Sequence, residues 1–363
     1  PSVLSSYQDR FKYILVDEYQ DTNHSQYSLL KLLSNKHKNI FAIGDDWQSI
    51  YSFRGAKFQN ILDFKKDYPE AKIIYLEENY RSKAPILEAA QAVIKKNELR
   101  SDKNLYTKNT GGSPVIVLGS PTKDEEIEFI VDEIISLKAG EGRELKDFVI
   151  LYRINAQSRA FEEALIRRSI SYRIIGGIRF YERMEIKNVL AYIRFALNPR
   201  DTISLARIVN VPSRKIGEKS LQKILADPQK EKEENPKYAN FLKIIEKIRE
   251  KINSGARNDV IIDTVLNLSG YRDFLLDGTI ESQGRLENIE ELKVAAASFE
   301  TLAEFLESVA LVSDTDDIEE QRDYVTLMTI HASKGLEFPV VFISGLEEGV
   351  FPHSRAQFEE VEL

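Results

Sequence analysis

The chain has 363 residues, of which 42% are hydrophobic, and it contains no cysteine. This length and composition predict two or three globular domains with sizeable cores and exclude a small disulfide-stapled fold. The sequence has no run of about 18 apolar residues and no amino-terminal signal pattern. It therefore predicts neither a membrane span nor secretion, and the expected location is the cytoplasm.

The formal net charge of −8 is unevenly distributed. Residues 151–220 hold 14 Lys and Arg against 6 Asp and Glu, so this stretch carries +8 and the rest of the chain carries −16. Eleven of those fourteen cations are arginine, the residue suited to bidentate contact with phosphate. A solvated face is the alternative, but it normally contains more lysine. We therefore favour a phosphate-binding region.

Short apolar runs alternate with helical patterns at the start of the chain. The predicted strands are Tyr13–Val16, Ile40–Ile43 and Lys72–Leu76, and helical patterns lie near Gln26–Leu33 and Phe58–Tyr68. Such alternation predicts a parallel sheet. The residues that follow parallel strands meet at one sheet edge, which is where α/β proteins bind ligands.

Two adjacent carboxylates, Asp17 and Glu18, follow the first of these strands. In nucleotide hydrolases, one such carboxylate holds magnesium through water and its neighbour accepts a proton from the attacking water. The complementary part is a glycine-rich phosphate loop that ends in Gly-Lys, yet none of the 17 glycines is followed by lysine. The sequence predicts the acidic half of a nucleotide-hydrolysing site without its phosphate loop.

The second strand is followed by a glutamine, Gln48, and then by aromatic residues and Arg54. A glutamine at a strand end can orient water or sense phosphate. Aromatic rings after it can stack on bases, which is worth roughly 1–3 kcal/mol per base. The alternative is that Trp47, Tyr51 and Phe53 simply pack against the protein, and their spacing does not decide between the two.

A second α/β unit is expected after the break at Thr110–Pro114. Its predicted strands are Val115–Leu118, Phe148–Tyr152 and Tyr172–Ile175. Predicted helices follow near Glu185–Leu197 and Thr202–Val209.

From Val211 to Asp317 the pattern becomes helical and highly charged, with amphipathic stretches at Phe241–Ile252 and Leu286–Ala297. Strand patterns resume at Tyr324–Ile330 and Pro339–Ser344. We therefore expect a first domain at 1–110, a second at 111–211 and 319–363, and a helical insertion at 212–318.

Five ordered blocks resemble motifs of the UvrD/PcrA/Rep group of superfamily 1 DNA helicases. They are Asp17–Asn23, Gly44–Tyr51 and Asn79–Ser82 (motifs II, III and IV), Leu151–Arg159 with Gly176–Arg183 (motif IVa), and Val325–Phe338 (motif V). The resemblance implies an α/β fold with two RecA-like parallel-sheet domains of the P-loop NTPase class. The first domain would be incomplete, and the second would carry the all-helical insertion.

The resemblance implies ATP and Mg²⁺ as cofactors and assigns their contacts to motif positions. The catalytic residues would be Asp17 as the metal ligand, Glu18 as general base, Gln48 linking the γ-phosphate to DNA, and Arg81 on the γ-phosphate. Arg81 would share the nucleotide site with Tyr80 stacked on adenine, Glu337 on the ribose, and Gly335.

The implied partner is single-stranded DNA, together with junctions of single-stranded and duplex DNA. The residues at the family's DNA-contacting positions are Tyr51, Phe53, Arg54, Arg153, Asn155, Arg179, His331 and His353. The implied activity is that of an ATP-dependent 3′–5′ helicase or translocase in DNA repair or replication. It would act as a monomer, with repair or replication proteins as further partners and no membrane.

The sequence departs from the family pattern at several positions. Lys215 replaces the first glycine of a Gly-Ile-Gly hairpin that contacts duplex DNA, so an ordinary helix start is the alternative there. Glu78 stands where glutamine is usual, Phe53 where tryptophan is usual, and Trp47 in place of a small or acidic residue.

The phosphate loop would lie upstream of Pro1 and the motif VI arginine beyond Leu363. We therefore expect that this chain alone does not turn over ATP, since losing one such phosphate clamp costs about 10³–10⁵ in rate. The alternative function is a non-catalytic DNA- or partner-binding module derived from a helicase. A nucleotide-sensing ATPase without nucleic acid is disfavoured by the arginine-rich stretch and the aromatic block.

Overall fold

The computed structural model describes residues 2–313 and 323–352. The chain divides into two compact units, Pro1–Leu118 and Gly119–Leu363. The break that the sequence predicts at Thr110–Pro114 thus lies within the first unit. In the described ranges, no helix is both long enough and apolar enough to cross a membrane.

The first unit contains a two-stranded parallel sheet and short helices. In chain order its elements are α1 Ser2–Arg10, β1 Ile14–Val16, α2 His24–Ser34, β2 Ile40–Ala42, α3 Gln59–Leu62, α4 Phe64–Asp67 and α5 Ala84–Ile94. Ile14 pairs with Ile40 and Val16 with Ala42, so both strands end at the same edge. Asn23 starts α2 with a reciprocal capping box to Gln26, which satisfies two backbone amides.

Two predicted strands of this region, Lys72–Leu76 and Val115–Leu118, are wrong. Neither segment forms a strand in the structure, although both are extended apolar runs. A strand requires a hydrogen-bonded neighbour, and here the side chains face solvent: Val117 is 90% exposed. The single helix predicted at Phe58–Tyr68 is instead two short helices, α3 and α4.

The second unit contains a four-stranded parallel sheet and an extended set of helices. Its elements are α6 Lys123–Glu141, β3 Phe148–Tyr152, α7 Ser158–Arg167, β4 Tyr172–Ile175, α8 Met184–Leu197, α9 Thr202–Ile208, α10 Glu218–Ala226, α11 Pro228–Glu234, α12 Pro236–Asn253, α13 Asn258–Ser269, α14 Tyr271–Leu275, α15 Ile280–Ala297, α16 Leu302–Ser313, β5 Val325–Thr329 and β6 Val340–Ile343. The strand order is β4-β5-β3-β6. Strands from both sides of the helical stretch therefore complete one sheet, as the sequence predicts.

The second unit has separate sheet and helical cores. In the sheet core, β3 and β5 pack against α6 and α7, with Phe148, Ile150 and Leu327 fully buried. The helical core extends from Phe180 to Val309 and includes the inner faces of α8 and α9. These two helices precede residue 212, so they pack with the predicted helical insertion at 212–318.

Candidate functional site

The carboxyl end of β1 carries the two acidic residues that the sequence singles out. Asp17 Oδ1 accepts a hydrogen bond from the Glu18 amide at 2.9 Å. Glu18 adopts a left-handed backbone conformation with φ of 50°, which is uncommon for a residue with a side chain. Both residues line an open cavity of about 380 Å³ whose walls include Asp21 and Thr22.

A buried glutamine joins this edge to the segment after β2. Gln20 Nε2 donates to Glu18 Oε2 at 2.5 Å, and Gln20 Oε1 accepts from the Asp45 amide at 2.9 Å. A Cβ atom on Gly44 would lie 2.6 Å from Gln20 Oε1 and 2.7 Å from Ile61 Cδ1. Glycine at position 44 therefore allows the close approach that places Gln20 between the two motif segments.

The donor set at this edge fits a magnesium ion that also takes ligands from a nucleotide. Asp17 and Glu18 supply carboxylate oxygens, and Mg²⁺ is usually held by one or two carboxylates together with waters and substrate phosphates. In the ranges that the structure describes, no cluster of three or more His, Cys, Asp or Glu side chains could hold a metal ion. The protein would thus provide part of the coordination sphere.

The segment that carries Gln48 is held by contacts with Ser101 and Lys103. Lys103 forms ion pairs with Asp45 and, at 3.0 Å, with Asp46. Burial by itself would raise the pKa of Asp46, but hydrogen bonds from the Ser101 side chain and backbone, and from Lys103, hold that pKa below its ordinary value. Gln48 Nε2 donates to Asp45 Oδ2 at 2.8 Å, so its amide is oriented by the same clamp.

Trp47 belongs to this clamp as well. Its indole Nε1 donates to the Ser101 carbonyl at 3.2 Å, and the Lys103 ammonium lies 4.7 Å from its ring centroid. These contacts favour packing of Trp47 against the protein over stacking on bases, the two roles that its spacing left open.

Three residues predicted to contact DNA lie together in the first unit. The rings of Tyr51 and Phe53 are 6.0 Å apart, and the Arg54 guanidinium is 5.5 Å from each centroid. Phe53 is 45% exposed. Tyr51 is partly buried. An aromatic pair with one exposed ring beside a cation can stack on bases while the cation contacts phosphate.

Tyr80 and Arg81 occupy the turn before α5. Asn79 Oδ1 accepts from the Arg81 amide at 3.1 Å and from the Ser82 amide at 2.7 Å, which fixes the turn. The Tyr80 side chain is 78% exposed, and its carbonyl accepts from Asn109 Nδ2 at 2.8 Å. Both side chains are accessible to a ligand, as stacking and phosphate contact require.

In the second unit, the ends of β3 and β5 bring Arg153 and His331 together. Arg153 Nη1 lies 3.4 Å from His331 Nδ1. The buried Gln157 accepts hydrogen bonds from the Arg153 and Ile154 amides at 2.9 and 3.0 Å, so the loop after β3 has a defined conformation. Burial lowers the pKa of Arg153, and the carboxylate of Glu287 partly offsets this effect.

The loop after β4 lies next to the same edge. Gly176 has φ of +74°, a conformation that favours glycine. A Cβ atom on Gly177 would lie 3.7 Å from Asn155 Oδ1, so Asn155 faces this turn. Arg179 is half-buried at the end of the loop and precedes the buried Phe180.

The remaining predicted positions follow β5 or lie beyond the described residues. Gly335 has φ of +84° in the turn after β5, and Glu337 is exposed just beyond it. His353 lies outside the described residues.

Lys215 has a backbone conformation that favours glycine. Its φ of 58° is left-handed, and its carbonyl accepts a hydrogen bond from Lys237 Nζ at 3.2 Å. The chain therefore makes a tight turn at Lys215, shortly before α10. Arg214 supports the turn by donating to the carbonyls of Pro212 and Ser269 at 3.0 and 3.1 Å.

Several residues that organise these edges were missed from the sequence. Gln20 and Arg183 lie inside the motif blocks. Their polar side chains, close to residues with assigned roles, could have marked them as candidates. Lys103 and Asn288 lie outside the blocks and gave no such signal. Their partners are 57 and 105 residues away in the chain, which no local pattern reveals.

Comparison with protein families agrees with the motifs and the fold. The family model described as UvrD-like helicase C-terminal domain matches residues 74–362, and the one described as UvrD/REP helicase N-terminal domain matches residues 1–69. The chain therefore belongs to the UvrD-like helicases of superfamily 1. This confirms the family and the α/β class with parallel sheets that the sequence predicts.

Curated relatives point to the same family. The chain is 44% identical over 382 residues to the ATP-dependent DNA helicase PcrA of Staphylococcus aureus (strain Mu50 / ATCC 700699), covering 98% of this chain and 52% of that protein. It is 44% identical over 403 residues to the ATP-dependent DNA helicase PcrA of Bacillus subtilis (strain 168), covering 100% of this chain and 53% of that protein. The chain spans about half the length of these curated relatives.

Proposed function

We propose that this chain works within an ATP-dependent DNA helicase that translocates 3′ to 5′ on single strands and acts at junctions with duplex DNA in repair or replication. The observation that carries this proposal is the Gln20 bridge between Glu18 and the Asp45 amide. The bridge joins the acidic pair to the segment with Gln48 and the aromatic residues. A change at a bound nucleotide can therefore be transmitted to a base-stacking surface in the same unit.

In the nucleotide half of this proposal, Asp17 would hold Mg²⁺ and Glu18 would accept the proton of the attacking water. Mg²⁺, when bound, would neutralise charge on the phosphates, and Arg81 would contact the γ-phosphate. Tyr80 would stack on the adenine and Glu337 would contact the ribose, with Gly335 as a further residue of the nucleotide site. The accessibility of Glu18 in its cavity and of Tyr80 on the surface supports these roles.

In the DNA half, phosphate contacts come from arginine and base contacts come from aromatic rings. Arg54, Arg153 and Arg179 pair with phosphates, with Asn155 and His331 beside them. Tyr51 and Phe53 stack on bases. The +8 charge of residues 151–220 supports this assignment despite the net charge of −8. At about 0.15 M salt the Debye length is about 8 Å, so more distant acidic groups are largely screened.

Binding of single-stranded DNA tests the DNA half. A fluorescence-anisotropy titration of the chain with labelled oligothymidine across a salt series should show affinity that falls as salt rises, because counterions are released. Arg153→Ala should weaken binding and flatten the salt dependence. Phe53→Ala should weaken binding and leave the salt slope unchanged, since a ring releases no counterion.

Arg200→Ala is the matched control for this titration. Arg200 is an exposed arginine of the same basic stretch that the proposal does not assign to DNA, so its loss removes one charge without a contact. Equal slopes for Arg153→Ala and Arg200→Ala would contradict the proposed contact, as would the absence of any effect of Phe53→Ala.

We further propose that the chain by itself does not hydrolyse ATP above background in the presence of DNA. None of its glycines is followed by lysine, so no phosphate loop of the usual form is present in the sequence. A DNA-dependent rate near about 1 s⁻¹, which is ordinary for enzymes, would disprove this. Glu18→Gln in a chain that also carries a phosphate loop should abolish turnover while nucleotide binding persists.

A further inference from the structure

A cluster of buried polar side chains lies beneath the edge of the sheet in the second unit. We call it the Arg183 cluster; its members, all buried, are Ser158, Glu162, Arg183, Glu185 and Asn288. Ser158 and Glu162 belong to α7, Glu185 to α8 and Asn288 to α15. The cluster therefore connects the sheet core to the helical core, and none of its members carries a role in the proposed chemistry.

Hydrogen bonds run through the cluster without interruption. Asn288 Nδ2 donates to Glu185 Oε1 at 2.6 Å, and Asn288 Oδ1 accepts from Arg183 Nη1 at 2.7 Å. Arg183 Nη2 donates to Ser158 Oγ at 2.8 Å, and Ser158 Oγ donates to Glu162 Oε1 at 2.7 Å. Asn288 thus links two ionisable groups: it donates to the Glu185 carboxylate and accepts from the Arg183 guanidinium.

The same cluster holds the backbone of both DNA-facing loops. Arg183 Nη2 also donates to the Asn155 carbonyl at 3.1 Å, in the loop after β3. Glu162 accepts from the Phe180 amide at 3.2 Å, directly after Arg179 in the loop after β4. One guanidinium and one carboxylate therefore fix the chain at two places where DNA contacts are proposed.

The buried charges of the cluster depend on one another. Burial lowers the pKa of Arg183, and Glu162 and Glu185 counteract this; burial raises the pKa of Glu162, and Ser158 and Arg183 counteract it. A buried charge that loses a partner becomes costly, so the surrounding groups rearrange to restore hydrogen bonds. Loss of the Asn288 contact would consequently shift Arg183 and the Asn155 carbonyl that it holds.

Helix α15 also interacts with this part of the second unit through two glutamates. Glu287 acts electrostatically on Arg153, and Glu291 pairs with Arg159 on α7 at 2.8 Å. Residues 287, 288 and 291 all belong to α15, so a displacement of this helix would move all three side chains together.

We propose that Asn288, through Arg183, is a positioning residue by which α15 of the helical core sets the conformation of the loop that carries Arg153 and Asn155. A shift of the helical core would thereby change the affinity for single-stranded DNA. This inference rests on the proposed role of Arg153 in binding DNA.

The test uses Asn288→Asp together with a reciprocal exchange. The aspartate places a second carboxylate opposite Glu185 and should weaken binding of oligothymidine about tenfold, the scale of one hydrogen bond to a charged group. The double variant Glu185→Gln/Asn288→Asp keeps the net charge of the wild type and restores a donor facing an acceptor. It should recover wild-type affinity to within about twofold.

The salt slope and a double-mutant cycle separate positioning from general destabilisation. Asn288→Asp should flatten the slope as Arg153→Ala does, and adding it to Arg153→Ala should weaken binding no further, because both remove the same contact. Additive losses with an unchanged slope would overturn the inference. If circular dichroism shows that the aspartate variant is only partly folded, Asn288→Ala replaces it in the same cycle. The salt slope and the additivity with Arg153→Ala then decide in the same way.

The proposed function and this inference can fail separately. If Arg153→Ala leaves binding unchanged, the proposed DNA contact is wrong. If Arg153→Ala weakens binding but Asn288→Asp and Asn288→Ala do not, the contact stands and the positioning role of Asn288 is wrong.

Discussion

The sheet edges of both units carry motif residues, but the strands beneath them are held very differently. In the second unit, every residue of β3 is buried between β5, β6 and the helices of the sheet core. In the first unit, the sheet has two strands, and alternate side chains face solvent: Leu15 is 75% exposed and Phe41 is 60% exposed. Parallel strands therefore precede the motif residues in both units, but those of the second unit lie in a full hydrophobic core and those of the first unit are partly exposed to solvent.

The motif geometry is accordingly maintained by different interactions. At the edge of the second unit, buried groups such as Arg183 and Glu162 hold the loops from beneath. At the edge of the first unit, local polar contacts of Gln20, Asp46 and Lys103 hold the motif segments to one another. We therefore expect the first unit to be less stable and its motif geometry to depend on a few side-chain contacts.

The largest effect should come from a pair of matched strand substitutions. Ile150→Ala removes a fully buried side chain from β3 and should lower the free energy of unfolding by about 2–5 kcal/mol, whereas Leu15→Ala on β1 should cost less than about 1 kcal/mol. Urea unfolding followed by far-ultraviolet circular dichroism measures the second unit, which holds most of the helices. Fluorescence of Trp47, the only tryptophan in the sequence, reports the first. Equal costs for the two variants would break the comparison.

A smaller effect, confined to the first unit, is expected for Gly44→Ala. The added methyl group would meet Gln20 Oε1 and Ile61 Cδ1 well inside van der Waals distance, and such overpacking costs about 1–3 kcal/mol. The Trp47 fluorescence transition should move to lower urea while the circular dichroism transition stays in place. Gly119→Ala, at the first residue of the second unit, is the control: a Cβ atom there would meet nothing within 4 Å, so neither transition should move. A shift of both transitions would show that the units do not unfold independently.

The smallest predicted effect is a dependence on acid in the first unit. Because the pKa of Asp46 is lower in the folded chain than in the unfolded chain, its ionised form adds stability above the unfolded value of about 3.9, and this is lost as pH falls through the folded value. Asp46→Asn should lower the free energy of unfolding by about 1–2 kcal/mol at pH 7. Between about pH 5 and pH 3, the free energy of unfolding should fall less for this variant than for the wild type. Trp47 fluorescence during urea unfolding at each pH measures this. Parallel pH profiles for both chains would contradict the role of Asp46.

Much of the second unit could be predicted from the sequence because its signals are local. The strands Phe148–Tyr152 and Tyr172–Ile175 are observed at the predicted residues, and the strand patterns after the helical stretch correspond to β5 and β6. Prediction failed where a local signal was present without a partner. Val115–Leu118 is apolar and follows a proline, yet it forms no strand because a strand exists only when a neighbour satisfies its backbone hydrogen bonds.

The sequence by itself determined the family, the class of fold and the positions of the motif residues, since these depend on residue type and spacing along the chain. Only the tertiary structure decided which side chains hold those residues in place. Gln20 meets the Asp45 amide across 25 residues, and Arg183 meets Asn288 across 105. The physical reason is that a buried polar group must find a hydrogen-bond partner wherever folding brings one within reach, and chain distance does not constrain that choice.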